Sequence, residues 1–244
     1  VDPKTYTYWH KRPYISTGPV VSMVQSDGVK LVLGTVPIEA DGSVAFHAPA
    51  STALHFQLLD ENQLALHTMR SFAGVMPGES RGCLGCHESH SRAPQLSDRK
   101  PLALMRDPQP ITPPPWSDDT VSFARYVQPV LDQYCGKCHQ GNGEARPTLD
   151  LTRRPGFLLF DEPYVTLTGR PSWGTPYVMP DKPPPGWGIA DTLMVEAYDK
   201  TDPAGYRTSS PMTALSYKSR LIEHAASGKH HDVRVDAIQL QRLT

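Results

Sequence analysis

Two five-residue runs, Cys83-Leu84-Gly85-Cys86-His87 and Cys135-Gly136-Lys137-Cys138-His139, contain every cysteine in the chain. Within one helical turn, positions i, i+3 and i+4 face the same side. Two sulfurs so spaced can reach the two vinyl groups of one porphyrin, and the following histidine then lies under the iron as an axial ligand. One such run can arise by chance. Two, with no cysteine left over, point to two covalently attached c-type haems. Cys83 and Cys86 are expected to anchor the first, with His87 on its iron. Cys135 and Cys138 are expected to anchor the second, with His139 on its iron. A Cys₄ zinc cluster is the nearest rival, but residues 87–134 make a long insert for a zinc ribbon, and zinc has no need of His87 or His139. Thioredoxin-like redox chemistry needs its C-x-x-C at a βαβ turn, a pattern found around neither run.

The ligand on the opposite face of each iron decides between electron transfer and small-molecule chemistry. For the second haem the candidates are Met179, His224, His230 and His231. Tyr177-Val178-Met179-Pro180 offers a Met-Pro of the kind many small cytochromes place over their haem. His230 and His231 follow a helix and can fold back over the porphyrin. His224 lies inside a polar helix and reads as a solvated surface residue. His230 is preferred, with His231 and Met179 as alternatives. For the first haem, His10, His47, His55, His67, His90, Met69 and Met76 are within the same half of the chain. His55 and His67 could face each other across the Asp60-Glu61-Asn62 turn. His90 is too close to His87 to reach the opposite face. This iron is therefore expected either to lack a second protein ligand or to take one from a neighbouring chain.

The elements that must position these residues divide into two kinds. Residues 1–75 read as short strands at Val20 to Val24, Lys30 to Val36, Ser43 to His47, Thr52 to Leu59 and Ala65 to Met69, separated by turn formers. This spacing suggests a small β-sandwich. Residues 101–116, dense in proline, read as a linker. A helix is expected from about Ser117, capped by Ser117 or Asp118, with Phe123, Tyr126, Val127, Val130, Leu131 and Tyr134 at helical spacing and a kink at Pro129. Residues 140–211 read mostly as loop. A second helix is expected over Met212 to Ala226, ended by Gly228, and Val235 to Leu243 reads as an amphipathic helix with no stop signal. The fold class is therefore mixed α+β. A β-rich domain over 1–100 carries haem 1, a Pro-rich linker spans 101–116, and a mainly α, loop-rich cytochrome c-like domain over 117–244 carries haem 2.

Composition narrows the function classes. The chain has 244 residues, a formal charge of −1 and no basic stripe, which argues against a nucleic-acid partner. No apolar run reaches the ~18 residues of a transmembrane helix. Hydrophobic residues make up only 39%, so a porphyrin's own apolar faces would help to complete a core. The 25 prolines, roughly twice the usual share, predict long irregular stretches. No signal peptide is visible, and a start at Val1-Asp2-Pro3 is expected of a processed chain or a fragment.

Gly34-Thr35-Val36-Pro37-Ile38-Glu39-Ala40-Asp41-Gly42-Ser43, Phe56-Gln57-Leu58-Leu59-Asp60, Met69-Arg70-Ser71-Phe72, Pro77-Gly78-Glu79 and the run Cys83 to Glu88 resemble the middle domain of the hydrazine synthase alpha subunit and its relatives. Val127-Gln128-Pro129-Val130-Leu131 leading into Cys135 to His139, and later Gly228-Lys229-His230-His231-Asp232-Val233, resemble that family's C-terminal haem domain. The resemblance implies a bis-histidine second haem, which pairs His139 with His230 or His231. It also implies a β-propeller upstream, absent from this sequence. In hydrazine synthase a tyrosine just after the first haem motif is axial and the motif histidine turns to zinc. Here residues 88–95 hold no tyrosine, with Ser91 about where it would stand, so His87 is expected to ligate its own iron.

Together these features predict a two-haem electron carrier working with redox partner proteins, extracytoplasmic because haem c is attached there. Assembly into a homo-oligomer or filament through stacked haems is compatible with it. The alternative is a haem enzyme of the hydrazine synthase-like type, with haem 1 as catalytic centre and haem 2 as relay.

Overall fold

The structure is a computed structural model, and it describes residues 31–69, 72–85, 98–116, 121–156, 160–169, 182–190, 210–213 and 215–244. Strand β1 (Gln57–Leu59) pairs antiparallel with β2 (Ala65–Thr68), with Leu58 opposite His67 and an irregularity between Leu58 and Leu59. Asp60 shapes the turn between them. Its Oδ1 accepts from the Asn62 and Leu64 amides at 2.9 and 2.8 Å, which satisfies donors the tight turn would otherwise leave unpaired.

Of the other expected strands, Val20 to Val24 lies outside the described residues. The remaining segments contribute isolated bridges: Thr35 with Thr112, Phe46 with Gln109, and Leu54 with Ala73. Two of these three reach into the proline-rich stretch 101–116, which lies against the strand-bearing segment. The residues between its prolines still have N–H groups to give. Leu102 donates to Asp41 Oδ2 and Ala103 to Ser43 Oγ, at 2.9 and 3.0 Å, and Arg106 pairs with Glu39. Extended, donor-poor backbone lets these side chains and bridges replace a continuous ladder.

The second half is built on helix α1 (Gln128–Tyr134), preceded by a π-helical turn, Phe123–Val127. The Gln128 amide bonds Phe123 O five residues back. Pro129, the second residue of α1, has no N–H to give and marks the change from wide to regular winding at the expected kink. The expected caps Ser117 and Asp118 lie outside the described residues, but the expected helix from about Ser117 is not continuous: Ser122 is extended, and helical winding begins only at Phe123. Helix α2 (Gly136–His139) follows α1 directly and is the second C-x-x-C-H turn. Helix α3 (Glu162–Thr168) lies in the region expected to be loop. Helix α4 (Arg220–Ser227) starts later than expected because Met212 and Leu215 have φ of 59°, outside helical space. Ser219 caps α4 by accepting from the Ile222 amide, and left-handed Gly228 ends it. Helix α5 (Ala237–Gln241) is capped by Asp236.

Helix α1 is a wedge between two small cores. Val130 packs with Ala225 of α4 and Val235, bordered by Tyr134, Val233 and Leu240. Leu131, fully buried, packs with Leu151 and Leu167 of α3, bordered by Val127, Leu149 and Leu221. Cys135 borders this second core, so the packing of α1 fixes where the C-x-x-C-H run begins.

The two halves are stitched by polar contacts. Ser216 Oγ accepts from the Ala65 amide at 2.7 Å, Met212 N donates to Leu66 O at 2.9 Å, and Tyr217 donates its hydroxyl to Asp60 Oδ2 at 2.7 Å. Burial works to raise the Asp60 pKa, but hydrogen bonds from Tyr217, Leu64 and Asn62 outweigh it and hold the carboxyl below its ordinary value. A depressed carboxyl stabilises the fold above its unfolded pKa of about 4 and loses that contribution as pH falls through the folded value. Asp60→Ala is expected to cost about 1–3 kcal/mol at pH 7. Urea unfolding of both proteins at pH 7 and pH 3 checks this, with the gap narrowing at the lower pH.

Candidate haem-attachment site

The second motif is the better described of the two. α2 forms one turn in which the Cys138 and His139 amides both bond Cys135 O, at 3.2 and 3.0 Å. This is the geometry that puts both sulfurs and the imidazole on one side. Neither Cys135 nor Cys138 is in a disulfide. Burial, then the adjacent Cys138, pushes the Cys135 thiol up to about 11. Cys135 is therefore not the lowered-pKa thiolate that a thioredoxin-type nucleophile uses.

His139 is held from behind. Its Nδ1 lies 2.9 Å from Leu149 O. A carbonyl only accepts, so Nδ1 carries the proton and Nε2 is the nitrogen with a lone pair. A second-shell carbonyl on one ring nitrogen commonly fixes the tautomer of a metal-binding histidine. The loop supplying that carbonyl is itself tied down. The Leu151 amide donates to His139 O, Arg146 and Arg154 pair with Asp150, and the Thr152 amide donates to Asp150 Oδ1. Burial works against the Asp150 charge, but the Thr152, Arg146 and Arg154 interactions overcome it and hold the carboxyl at about 2.

Facing this turn is a group of histidines from the far end of the chain. The His230 ring lies 6.1 Å from that of His139, centroid to centroid, with the planes 18° apart. His224 of α4 stacks on His230 at 4.5 Å and 30°, and His231 meets it edge-on at 5.0 Å and 84°. Burial, then His224, His231 and His139, lowers the His230 pKa and favours the neutral imidazole, the form able to bind a metal. Two imidazoles on opposite sides of one metal ion hold their centroids about 6 Å apart, since each metal–nitrogen bond is about 2 Å and the centroid lies about 1 Å beyond. The His139–His230 spacing fits that arrangement. Among the described residues no group of three or more His, Cys, Asp or Glu side chains converges as a metal cage. A haem iron needs only axial ligands from protein, because the porphyrin fills the equatorial positions.

The sequence reading preferred His230, and the structure brings it to His139. His231, the alternative, is exposed and contacts His230 edge-on. Met179 lies outside the described residues. His224, expected to be a solvated residue, instead stacks on His230. The chain reversal at Gly228 returns the next residues along α4, which no helical periodicity reveals.

Gly143 shows how closely the loop hugs the motif. A Cβ there would overlap the Cys138 carbonyl group and come within 2.8 Å of Lys137 O. Gly143→Ala must push the loop off α2, at a cost of about 1–3 kcal/mol. The expected result is a lower melting temperature and less haem bound per chain. Gly141→Asn, at a left-handed position with open space around it, is expected to be near neutral on both measures.

Of the first motif, Cys83 is exposed, while Cys86 and His87 lie outside the described residues. A cleft of about 300 Å³ sits just before it, lined by Thr52, Phe72, Val75, Met76, Glu79 and Arg81 among others. Phe72, Met76 and Leu84 are exposed apolar side chains here. Among the candidates for this iron, His55 Nε2 donates to Met69 O at 2.6 Å, and His67 stands opposite Leu58, so the two histidines that could have faced each other across the turn are not cross-strand partners. His47 is exposed, and His10 and His90 lie outside the described residues.

Residues 16–88 match the family model of the hydrazine synthase alpha subunit middle domain. The match supports that family for the strand-bearing segment and ends just after the first motif; it does not reach the second. No curated protein and no solved structure matches the chain. Among the described residues, no helix is long and apolar enough to cross a membrane.

Proposed function

We propose that this chain is a di-haem c-type cytochrome that transfers electrons between its two haems and redox partner proteins. One observation carries the reading: a C-x-x-C-H turn whose histidine is pinned by Leu149 O and has the His230 ring 6.1 Å away, nearly parallel. Cys135 and Cys138 would hold the second haem, with His139 and His230 as the side chains offered to its iron. Cys83 and Cys86 would hold the first, with His87 offered to its iron. A haem so bound supplies a one-electron iron couple that changes little in shape. The protein does the rest. Leu149 O keeps the proton on His139 Nδ1, and the core around Leu131 and Leu151 walls the buried side of the motif from water. Haem c attachment places the chain outside the cytoplasm, and haem-edge contacts between copies offer a route to oligomers or filaments.

A second reading has its own support in the match over residues 16–88, which includes the first motif. In that reading haem 1 is the catalytic centre of a hydrazine synthase-like enzyme and haem 2 its relay. Optical spectra of the reduced protein with and without carbon monoxide separate the two. The carrier is expected to show low-spin haem throughout and no carbon monoxide shift. A high-spin, carbon monoxide-binding haem that survives in the Cys135→Ser, Cys138→Ser protein would move the assignment to the enzyme.

A further inference from the structure

His230 sits on a backbone that fixes its Cα but not its ring. His231 and Asp232 are in left-handed conformation, with φ of 49° and 60°. The Val233 amide bonds His230 O at 3.0 Å, closing the turn. None of this sets the rotation of the imidazole about its side-chain bonds, which has a broad, shallow preference for a ring torsion. What the ring meets is His224, face to face at 4.5 Å and 30°. His224 is firmly presented. It belongs to α4, which is capped at both ends and anchored by buried Ile222 and Ala225 on either side of it. His231 abuts the same ring at 84° but is exposed and belongs to no helix, so it is the weaker constraint.

We propose that His224 is a positioning residue for the distal ligand: its imidazole, stacked on His230, sets the plane of that ring nearly parallel to His139. The inference rests on the reading of His139 and His230 as the axial pair. Its consequence is electronic. Parallel axial imidazoles donate into the same iron d orbital and split the π-type pair. Crossed imidazoles donate into both and leave them nearly degenerate. The plane angle therefore sets the shape of the ferric low-spin resonance while leaving the ligand set unchanged.

The test is low-temperature electron paramagnetic resonance of the oxidised full-length holoprotein, comparing wild type, His224→Ala and His224→Phe. His224→Ala is expected to move one haem's signal from the rhombic shape of parallel planes toward the strongly anisotropic shape of crossed ones, with optical spectra still low-spin. His224→Phe keeps a flat ring at the contact and is expected to restore the rhombic signal. An unchanged signal in His224→Ala overturns the proposal, as does failure of phenylalanine to restore it. A high-spin haem in His224→Ala also overturns it, since His224 would then be a ligand itself. His230→Ala separates this from the underlying reading: if that protein keeps both haems low-spin, the His139–His230 assignment falls and the positioning role falls with it. Far-UV circular dichroism of each variant confirms that α4 remains folded.

Discussion

Replacing Cys135 and Cys138 together by serine is expected to remove one haem per chain from protein matured in a host competent in cytochrome c assembly, and replacing Cys83 and Cys86 is expected to remove the other. Intact mass reads both losses directly, because a thioether-bound haem stays with the polypeptide under denaturing conditions. The two losses are not expected to be equal in their effect on the fold. Cys135 borders the core of Leu131, Leu151 and Leu167, and α2 continues α1 without a break. A haem missing there would leave the Cys135–His139 turn and the histidine group opposite it with no partner between them. Loss of several kcal/mol, read as a large fall in melting temperature, is the expected outcome for a site that buries a group of that apolar area. Cys83 is exposed and follows the residues that line an open cleft, so its pair is expected to cost less. A bare polypeptide mass for the unmodified chain from such a host would remove the basis of both expectations.

How much of this was open to a reading of the sequence depended on whether the deciding contacts are local. Helix α1 was legible because Val127, Val130, Leu131 and Tyr134 recur at helical spacing and their burial follows that spacing. The end of α4 was legible because glycine alone accepts the left-handed conformation of residue 228 at no steric cost. Helix α3 was missed although its signals are present: Asp161 at the N-cap, Pro163 in the first turn and Gly169 past the end. Surrounding prolines drew the whole region into the loop class. The sequence places the start of α4 at Met212, and only the positive φ of Met212 and Leu215 moves it to Arg220. The strand region was the least legible. The β1–β2 hairpin is closed by its own Asp60 turn, but Thr35 and Phe46 find their partners at Thr112 and Gln109, on the far side of the first C-x-x-C-H run in sequence, and no local pattern encodes that pairing. At the candidate site, residue types and spacing singled out the Cys135–His139 turn and His230, whose ring the structure sets 6.1 Å from that of His139. The role of Leu149 O was not visible, since a backbone carbonyl has no residue signature, and His224 was hidden by the chain reversal at Gly228.

The second large effect is expected at His230. His230→Ala removes the ring 6.1 Å from His139 and leaves the neighbouring histidines to compete for its place. His224 is fixed to α4, and its centroid contact is with His230 rather than with His139. His231 is exposed and lies on a turn whose left-handed dihedrals tie its direction to the local backbone. Neither can take the axial position without moving an element, so the expected product is a haem with one protein ligand. Its optical spectrum should become high-spin for that haem alone, and carbon monoxide should bind to the reduced form where wild type excludes it. Added imidazole should return the low-spin spectrum, because the small ligand fills the space the side chain left. The reduction potential should rise as well, since a neutral imidazole bound to iron stabilises the ferric state and its loss favours the ferrous one. His231→Ala is the matched control and should leave spin state and carbon monoxide binding unchanged. If instead His231→Ala gives the high-spin haem and His230→Ala does not, the distal ligand is the neighbour, and the near-parallel pair of rings belongs to the haem-free packing of this group rather than to its ligation.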